Sequence, residues 1–214
     1  MNILINGWNT PQKGAMTSVL DVILDHAYDK MNGMETCGFE CLNYQSYANF
    51  NYRATPYRCL KKLFLKLSFN NEDHLVDLGS GKGRVYLYAS LMGCHRVTGV
   101  EYHQVMAELA KKNYKAIACK IQSEVTLLNI DVRKIQITPS MNIFFLFTPF
   151  HLKIFARVLS KIKISYLNNP RKITVIFYRP DIPWMQFMQN DSIFIKRDTV
   201  KIFNDPIFEL FLTA

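Results

Sequence analysis

Apolar and polar residues follow two different periods along this chain, and the change comes near residue 70. Before it, Met16, Val19, Leu20, Val22, Ile23, Leu24 and Ala27 recur with helical spacing, which predicts an amphipathic helix over 15–31. From Cys37 to Arg53 neither period holds. The stretch carries Phe39, Leu42, Tyr44, Tyr47, Phe50 and Tyr52, so it reads as an ordered loop rather than a linker. Pro56 opens a second helix, where its missing N–H is not needed, and Thr55 before it is the expected N-cap. After Asn70-Asn71-Glu72-Asp73 short apolar runs alternate with helical ones. Strands are predicted near 74–78, 96–100, 124–128, 142–147 and 172–178, with helices at about 82–92, 103–119 and 150–165. That alternation is the mark of a parallel sheet with crossovers. The end differs, because Ile193 to Ile202 and Ile207 to Leu212 are β-rich runs joined by the turn signal Asn204-Asp205-Pro206, predicting an antiparallel hairpin.

Composition adds limits. With 214 residues, 49% hydrophobic and 20% charged, the chain fits one globular domain spanning 1–214, with 1–70 as a helical cover and 71–214 as the sheet. No apolar run reaches the roughly 18 residues that span a bilayer, and no leader-like start is seen, so a cytoplasmic place without membrane association is expected. Cys37, Cys41, Cys59, Cys94 and Cys119 form an odd set without a CxxC pair, which reads as buried thiols rather than disulfides or a zinc site. Cys37 and Cys41 with His26 have a spacing that recurs by chance, and no metal is expected. The net charge of +9 favours an acidic partner. No nucleic-acid motif accompanies it, and the scattered basic residues read first as solvated faces. His95, His103 and His151 are lone histidines, with His103 opening a helix as a cap or surface group.

The chemistry gathers at the ends of the predicted strands, where open parallel sheets bind ligands. The first ends in Asp77-Leu78-Gly79-Ser80-Gly81-Lys82-Gly83, whose glycines permit a sharp turn and close approach to a ligand. The spacing is GxGxG, and Arg84 stands where a dinucleotide fingerprint wants its third glycine. Glu101 ends the second strand, where a carboxylate can accept from both hydroxyls of a ribose, and Asp131 ends the third, where it can accept from a purine's exocyclic amine. Each acid alone reads equally as a cap; three strand tips carrying acids in order do not.

These residues resemble the class I S-adenosylmethionine-dependent methyltransferases: Val76-Asp77-Leu78-Gly79-Ser80-Gly81-Lys82-Gly83-Arg84 looks like their first motif and Gly99-Val100-Glu101 their second, while Asn129-Ile130-Asp131-Val132 stands where their adenine-binding acid lies. The resemblance implies a Rossmann-like seven-stranded α/β sheet, mostly parallel with a C-terminal antiparallel hairpin, and S-adenosyl-L-methionine as cofactor. It implies that Gly79, Ser80 and Gly81 hold the methionine part, with Asp77 towards its ammonium, Glu101 on the ribose, and Asp131 with Val132 at the adenine. A narrower resemblance is to small bacterial methyltransferases that are also similar to class I protein-lysine methyltransferases. Those carry Tyr-x-Pro-Thr-Pro-Tyr ahead of the first motif; here Tyr52-Arg53-Ala54-Thr55-Pro56-Tyr57 has Ala54 for the first proline. Tyr52 and Thr55 are thereby expected near the methionine end, under an N-terminal cover.

Methyl transfer needs an aligned, unprotonated nucleophile more than it needs a base. Thr148, Pro149 and Phe150, at the tip of the fourth strand, are the candidate catalytic residues, where amine-methylating relatives have Asn or Asp, then Pro, then an aromatic. Thr148 departs from that pattern with a shorter hydroxyl. The same residues also read as a buried strand ending in a proline turn. Trp184, Met185, Phe187 and Met188 read as core or lid packing, with a substrate lip as the alternative. Three functions stay open: N-methylation of a protein or other macromolecule, methylation of a small molecule, and a non-catalytic cofactor- or nucleic-acid-binding module.

Overall fold

The computed structural model describes residues 19–38, 52–147, 150–202 and 205–213. Two helices come first, α1 (Val19–Asn32) and α2 (Tyr57–Leu67). There follow β1 (His74–Leu78), α3 (Arg84–Leu91), β2 (Arg96–Glu101), α4 (Gln104–Ile117), β3 (Glu124–Asn129), β4 (Ile143–Leu146), α5 (Leu152–Asn168), β5 (Thr174–Tyr178), α6 (Ile182–Gln189), β6 (Phe194–Ile202) and β7 (Asp205–Thr213). The seven strands form one sheet in the order β3-β2-β1-β4-β5-β7-β6. β1 to β5 run parallel, and β7 enters antiparallel between β5 and β6. The strand order reverses at β1, between β2 and β4, and this places a ligand crevice at the carboxyl ends of those three strands.

Every residue of β1, β4 and β5 is buried, as expected of central parallel strands covered on both faces. The period of two sends their side chains to opposite layers. Leu75, Phe145 and Ile176 pack with Leu60, Leu63 and Phe64 of α2 and with Tyr86 of α3. Val76, Phe144 and Phe177 pack with Phe155 and Leu159 of α5. Asp77 follows Val76, so its side chain faces α3.

The predicted strands agree with those observed to within two residues at either end. Four local expectations are corrected. The apolar positions of α1 do not face the core: Val19, Leu20, Val22, Ile23 and Leu24 are exposed, while Asp21, Asp25 and Asp29 are buried. Those acids find donors inside, and a paired buried acid is tolerated where an unpaired one is not. Thr55 does not cap α2. Pro56 holds the cap position without a side-chain bond, and the Thr55 hydroxyl points inward. The third is α6, a helix where none is predicted; its Trp184 packs 5.0 Å from the Phe155 ring and its Met188 is fully buried, in keeping with the core reading of these two residues. Last, Asp205 and Pro206 belong to β7 rather than to the turn, and Asn204 lies outside the described residues.

Cys59 and Cys94 are buried thiols, but Cys37 is half-buried and Cys119 exposed; Cys41 lies outside the described residues. No helix among the described residues is long and apolar enough to cross a membrane.

Candidate functional site

β1 ends at Leu78, and the chain turns at once into α3. Gly79 and Ser80 donate their amides to the carbonyl of Val100 at 2.9 and 3.0 Å, which pins the turn to β2. Gly81 adopts φ +53°, and a side chain there would bring its first carbon to 2.3 Å from Cε2 of Tyr52. Only glycine serves both the left-handed backbone and the approach of the ring. The Gly81 amide donates to Oε2 of Glu101 at 2.8 Å, and the amide of His103 donates to Oε1 at 2.8 Å. A carboxylate offers about four lone-pair sites, so each oxygen keeps one to offer. A cavity of about 240 Å³ opens beside Glu101, lined also by Ser80, Gly99, Gln104, Lys111 and Asn129.

Asp77 is buried behind the turn, and among the described residues its Oδ2 has no hydrogen-bond partner. Burial, then the neighbouring charge of Glu101, raises its carboxyl well above the usual range, partly offset by a backbone hydrogen bond from Tyr86. Thr55 Oγ1 is likewise buried without a partner among the described residues. Orphaned buried oxygens cost free energy and call for a ligand that satisfies them. A cationic group at Asp77 and a vicinal diol at Glu101 match the donors and acceptors on offer.

At the third strand tip, β3 ends at Asn129 and Asp131 lies beyond it, capping a short 3₁₀ turn over Val132–Lys134. Val132 is buried. Oδ1 of Asp131 accepts the amide of Arg133 at 2.8 Å, and the Arg133 guanidinium bridges both carboxylate oxygens. Those hydrogen bonds outweigh burial, which pulls the other way, and hold Asp131 below the ordinary carboxylate range. Such an ion pair with an exposed arginine is weak and readily exchanged. At the fourth tip, Thr148 and Pro149 lie outside the described residues. Phe147 before them packs edge-on against Tyr178 at 4.5 Å, and Phe150 sits 6.3 Å from Trp184. His151 caps α5, its Nδ1 accepting from the Lys153 amide.

A second set of residues, not anticipated from sequence, ties the N-terminal segment to the turn. Arg84, the first residue of α3, is 3% exposed. Its Nε donates to Thr36 Oγ1 at 2.7 Å, Nη1 to Asp25 and to the Thr55 carbonyl, and Nη2 to Cys37 Sγ at 2.8 Å. The guanidinium also lies 4.4 Å from the centre of the Tyr57 ring. Asp29 accepts from the amides of Thr36 and Cys37 and from the Tyr57 hydroxyl at 2.6 to 2.8 Å. Tyr52 donates its hydroxyl to the Thr36 carbonyl, and Lys82 its ammonium to that of Cys37. Burial raises the Asp25 carboxyl in spite of Arg84 beside it. Burial pulls Asp29 up too, but hydrogen bonding from Tyr57 and the Arg84 charge hold it below its ordinary value. Only part of the signal for this set is in the sequence. Asp21, Asp25 and Asp29 repeat every fourth residue and so share one face of a helix.

Comparison with known proteins bears on these features. Residues 38–138 match the model of the family "Histone methylation protein DOT1". This stretch includes Tyr52, Thr55, the glycine turn, Glu101 and Asp131. No curated protein matches the chain. Among solved structures, an RNA methyltransferase from Salinibacter ruber in complex with S-adenosyl-L-homocysteine superposes with a TM-score of 0.55 at 17% identity, covering 75% of this chain and 92% of that one. A SAM-dependent methyltransferase from Aquifex aeolicus gives 0.55 at 15% identity, over 72% and 89%. Magnesium protoporphyrin IX methyltransferase from Synechocystis with bound SAM gives 0.54 at 12%, over 73% and 79%. At these identities the likeness is one of fold, while the family model bears on the turn and the strand-tip acids. With its sheet order, its antiparallel β7 and that turn between β1 and α3, the chain has the fold of the class I S-adenosylmethionine-dependent methyltransferases.

Proposed function

We propose that the chain holds S-adenosylmethionine across the glycine turn and transfers its methyl group to a nitrogen of a protein or other macromolecule. The observation that carries the macromolecular substrate is the match to the histone methylation model over residues 38–138. The net charge of +9 suits an acidic macromolecular surface.

The residues present fit the cofactor. Asp77, with its orphaned Oδ2, takes the methionine ammonium, and the backbone of Gly79, Ser80 and Gly81 runs beneath the methionine part. Tyr52 closes over Gly81, and the unpartnered hydroxyl of Thr55 serves the same end. Glu101 accepts the two ribose hydroxyls with the lone pairs that Gly81 and His103 leave. Asp131 accepts the adenine amine, for which the exposed Arg133 side chain gives way, and buried Val132 supports the ring. Bound there, the cofactor supplies a methyl group activated by its sulfonium.

The chain's own part in the transfer is alignment and exclusion of water. Phe147, Tyr178 and Phe150 give the tips of β4 and β5 an aromatic wall. A nitrogen that arrives unprotonated needs only acceptors for its remaining hydrogens, a role proposed for the Thr148 hydroxyl or the Phe147 carbonyl, with Pro149 beside them in sequence. An oxygen nucleophile would need a general base.

The test is transfer of labelled methyl groups into cell extract, separated into protein, nucleic acid and small molecules. Label on nitrogen in a macromolecular fraction is expected. Label confined to small molecules would replace the macromolecular reading, and no transfer by a chain that binds cofactor would point to a binding module. On the true substrate, Thr148→Val is expected to lower turnover by about an order of magnitude or more, with cofactor affinity within about threefold, because the group acts mainly in the transition state. Full turnover would move the reaction centre elsewhere, to the Tyr178-Arg179-Pro180 tip of β5.

A further inference from the structure

Arg84 sits at a junction. It follows the glycine turn directly, so its backbone moves with the turn, yet its guanidinium is spent on the N-terminal segment. It reaches α1 through Asp25, the connector through Thr36 and Cys37, and the lead into α2 through the Thr55 carbonyl and the Tyr57 ring. The connector in turn holds Tyr52, whose hydroxyl bonds the Thr36 carbonyl at 2.8 Å while its ring covers Gly81. A planar fork with donors in fixed directions can hold these groups at once, which the point charge of a lysine cannot. The contacts close a loop from the turn through Arg84, Thr36 and Tyr52 back to the turn.

We infer that Arg84 is a positioning residue that fastens residues 34–38 and Tyr52 over the glycine turn, so that cofactor binding and the seating of these residues are one event. The inference rests on the cofactor-binding reading above, and goes beyond it by giving Arg84 a role without contact to the cofactor. Ligand that settles on Gly79 to Gly81 meets a cover already linked to the backbone it touches. Ordering of residues 34–38 with Tyr52 and binding then share one free energy.

The test uses the full chain and S-adenosylhomocysteine. Arg84→Met alone would strand two buried carboxylates, so it is combined with Asp25→Asn, which removes charge from both sides of the pair. Arg171→Met serves as a control for general destabilisation. Arg171 ties the Met141, Ser165 and Asn169 carbonyls together at the start of β5, the end of the sheet away from the turn. Two readouts are taken, the dissociation constant by calorimetry and amide hydrogen exchange at 34–38. In the double variant, affinity is expected to fall tenfold or more, and bound ligand to lose its protection of the Thr36 and Cys37 amides; the control keeps both. Undiminished affinity and protection in the double variant, or equal losses in the control, would overturn the role of Arg84 while leaving the cofactor reading intact. Failure of the unmodified chain to bind would overturn both.

Discussion

Replacing Glu101 by Ala is expected to weaken binding of S-adenosylhomocysteine about a hundredfold or more, while the fold survives. Hydrogen bonds to a charged group contribute roughly 1.5–3 kcal/mol each, and in the proposed site two ribose hydroxyls bond this carboxylate, so the expected loss is at least about 3 kcal/mol, with each 1.4 kcal/mol a factor of ten. The substitution also frees the amides of Gly81 and His103, which loosens the turn that the ligand rests on. Glu101 is half-buried at the mouth of its cavity, so water can reach the freed amides and the folding cost stays modest. Calorimetry gives the affinity and thermal unfolding the fold. A dissociation constant unchanged in Glu101→Ala would mean that the tip of β2 does not face the ligand.

Asp77→Asn should move stability and binding in opposite directions. The native carboxyl is fully enclosed, and burial with the charge of Glu101 raises its pKa well above the usual value. An acid whose pKa is raised by folding binds protons more readily in the folded state, so its ionisation weakens the fold as pH climbs above the unfolded value of about 4. Asn removes that charge at equal volume. The ligand-free variant is therefore expected to melt at a higher temperature than the parent at neutral pH, with the gap narrowing as the pH falls towards 4. Binding should suffer, because in the proposed site the ammonium loses a charged acceptor, and affinity is expected to drop tenfold or more. The parent should also release protons as ligand binds below the raised pKa, measurable as a dependence of the calorimetric heat on buffer ionisation enthalpy. A variant that is both less stable and equally tight would show that Asp77 is structural. Groups held at a cost in the empty protein are found at functional sites.

The parallel core was legible in the sequence because its strands are buried on both faces and read as short apolar runs between turn residues. Gly79 to Gly83 and Glu101 were legible for a related reason: the backbone geometry and the strand tip each demand a particular residue type. α1 was misread. Its periodicity is real, but the rule that apolar residues face inward selects the wrong side, and three aspartates spaced by four are buried because Arg58, Arg84 and Tyr57 come from distant parts of the chain to meet them. No local pattern carries that information. Arg84 itself registered only as a missing glycine, and its role depends on contacts more than 25 residues away in sequence. α6 was missed because eight residues with Pro183 near the start give little helical period, and what fixes it is the packing of Trp184 on Phe155 and Phe177.

The central claim is that the turn from Gly79 to Gly83, with Asp77 and Glu101, is an S-adenosylmethionine site and not a dinucleotide site. Titration of the folded, full-length chain with S-adenosylhomocysteine, repeated with NAD in excess, tests it most directly. Saturable binding of about one equivalent at micromolar or tighter affinity, undisturbed by NAD, is the expected result. A folded sample that takes up no S-adenosylhomocysteine or S-adenosylmethionine, or that surrenders either to NAD, would contradict it.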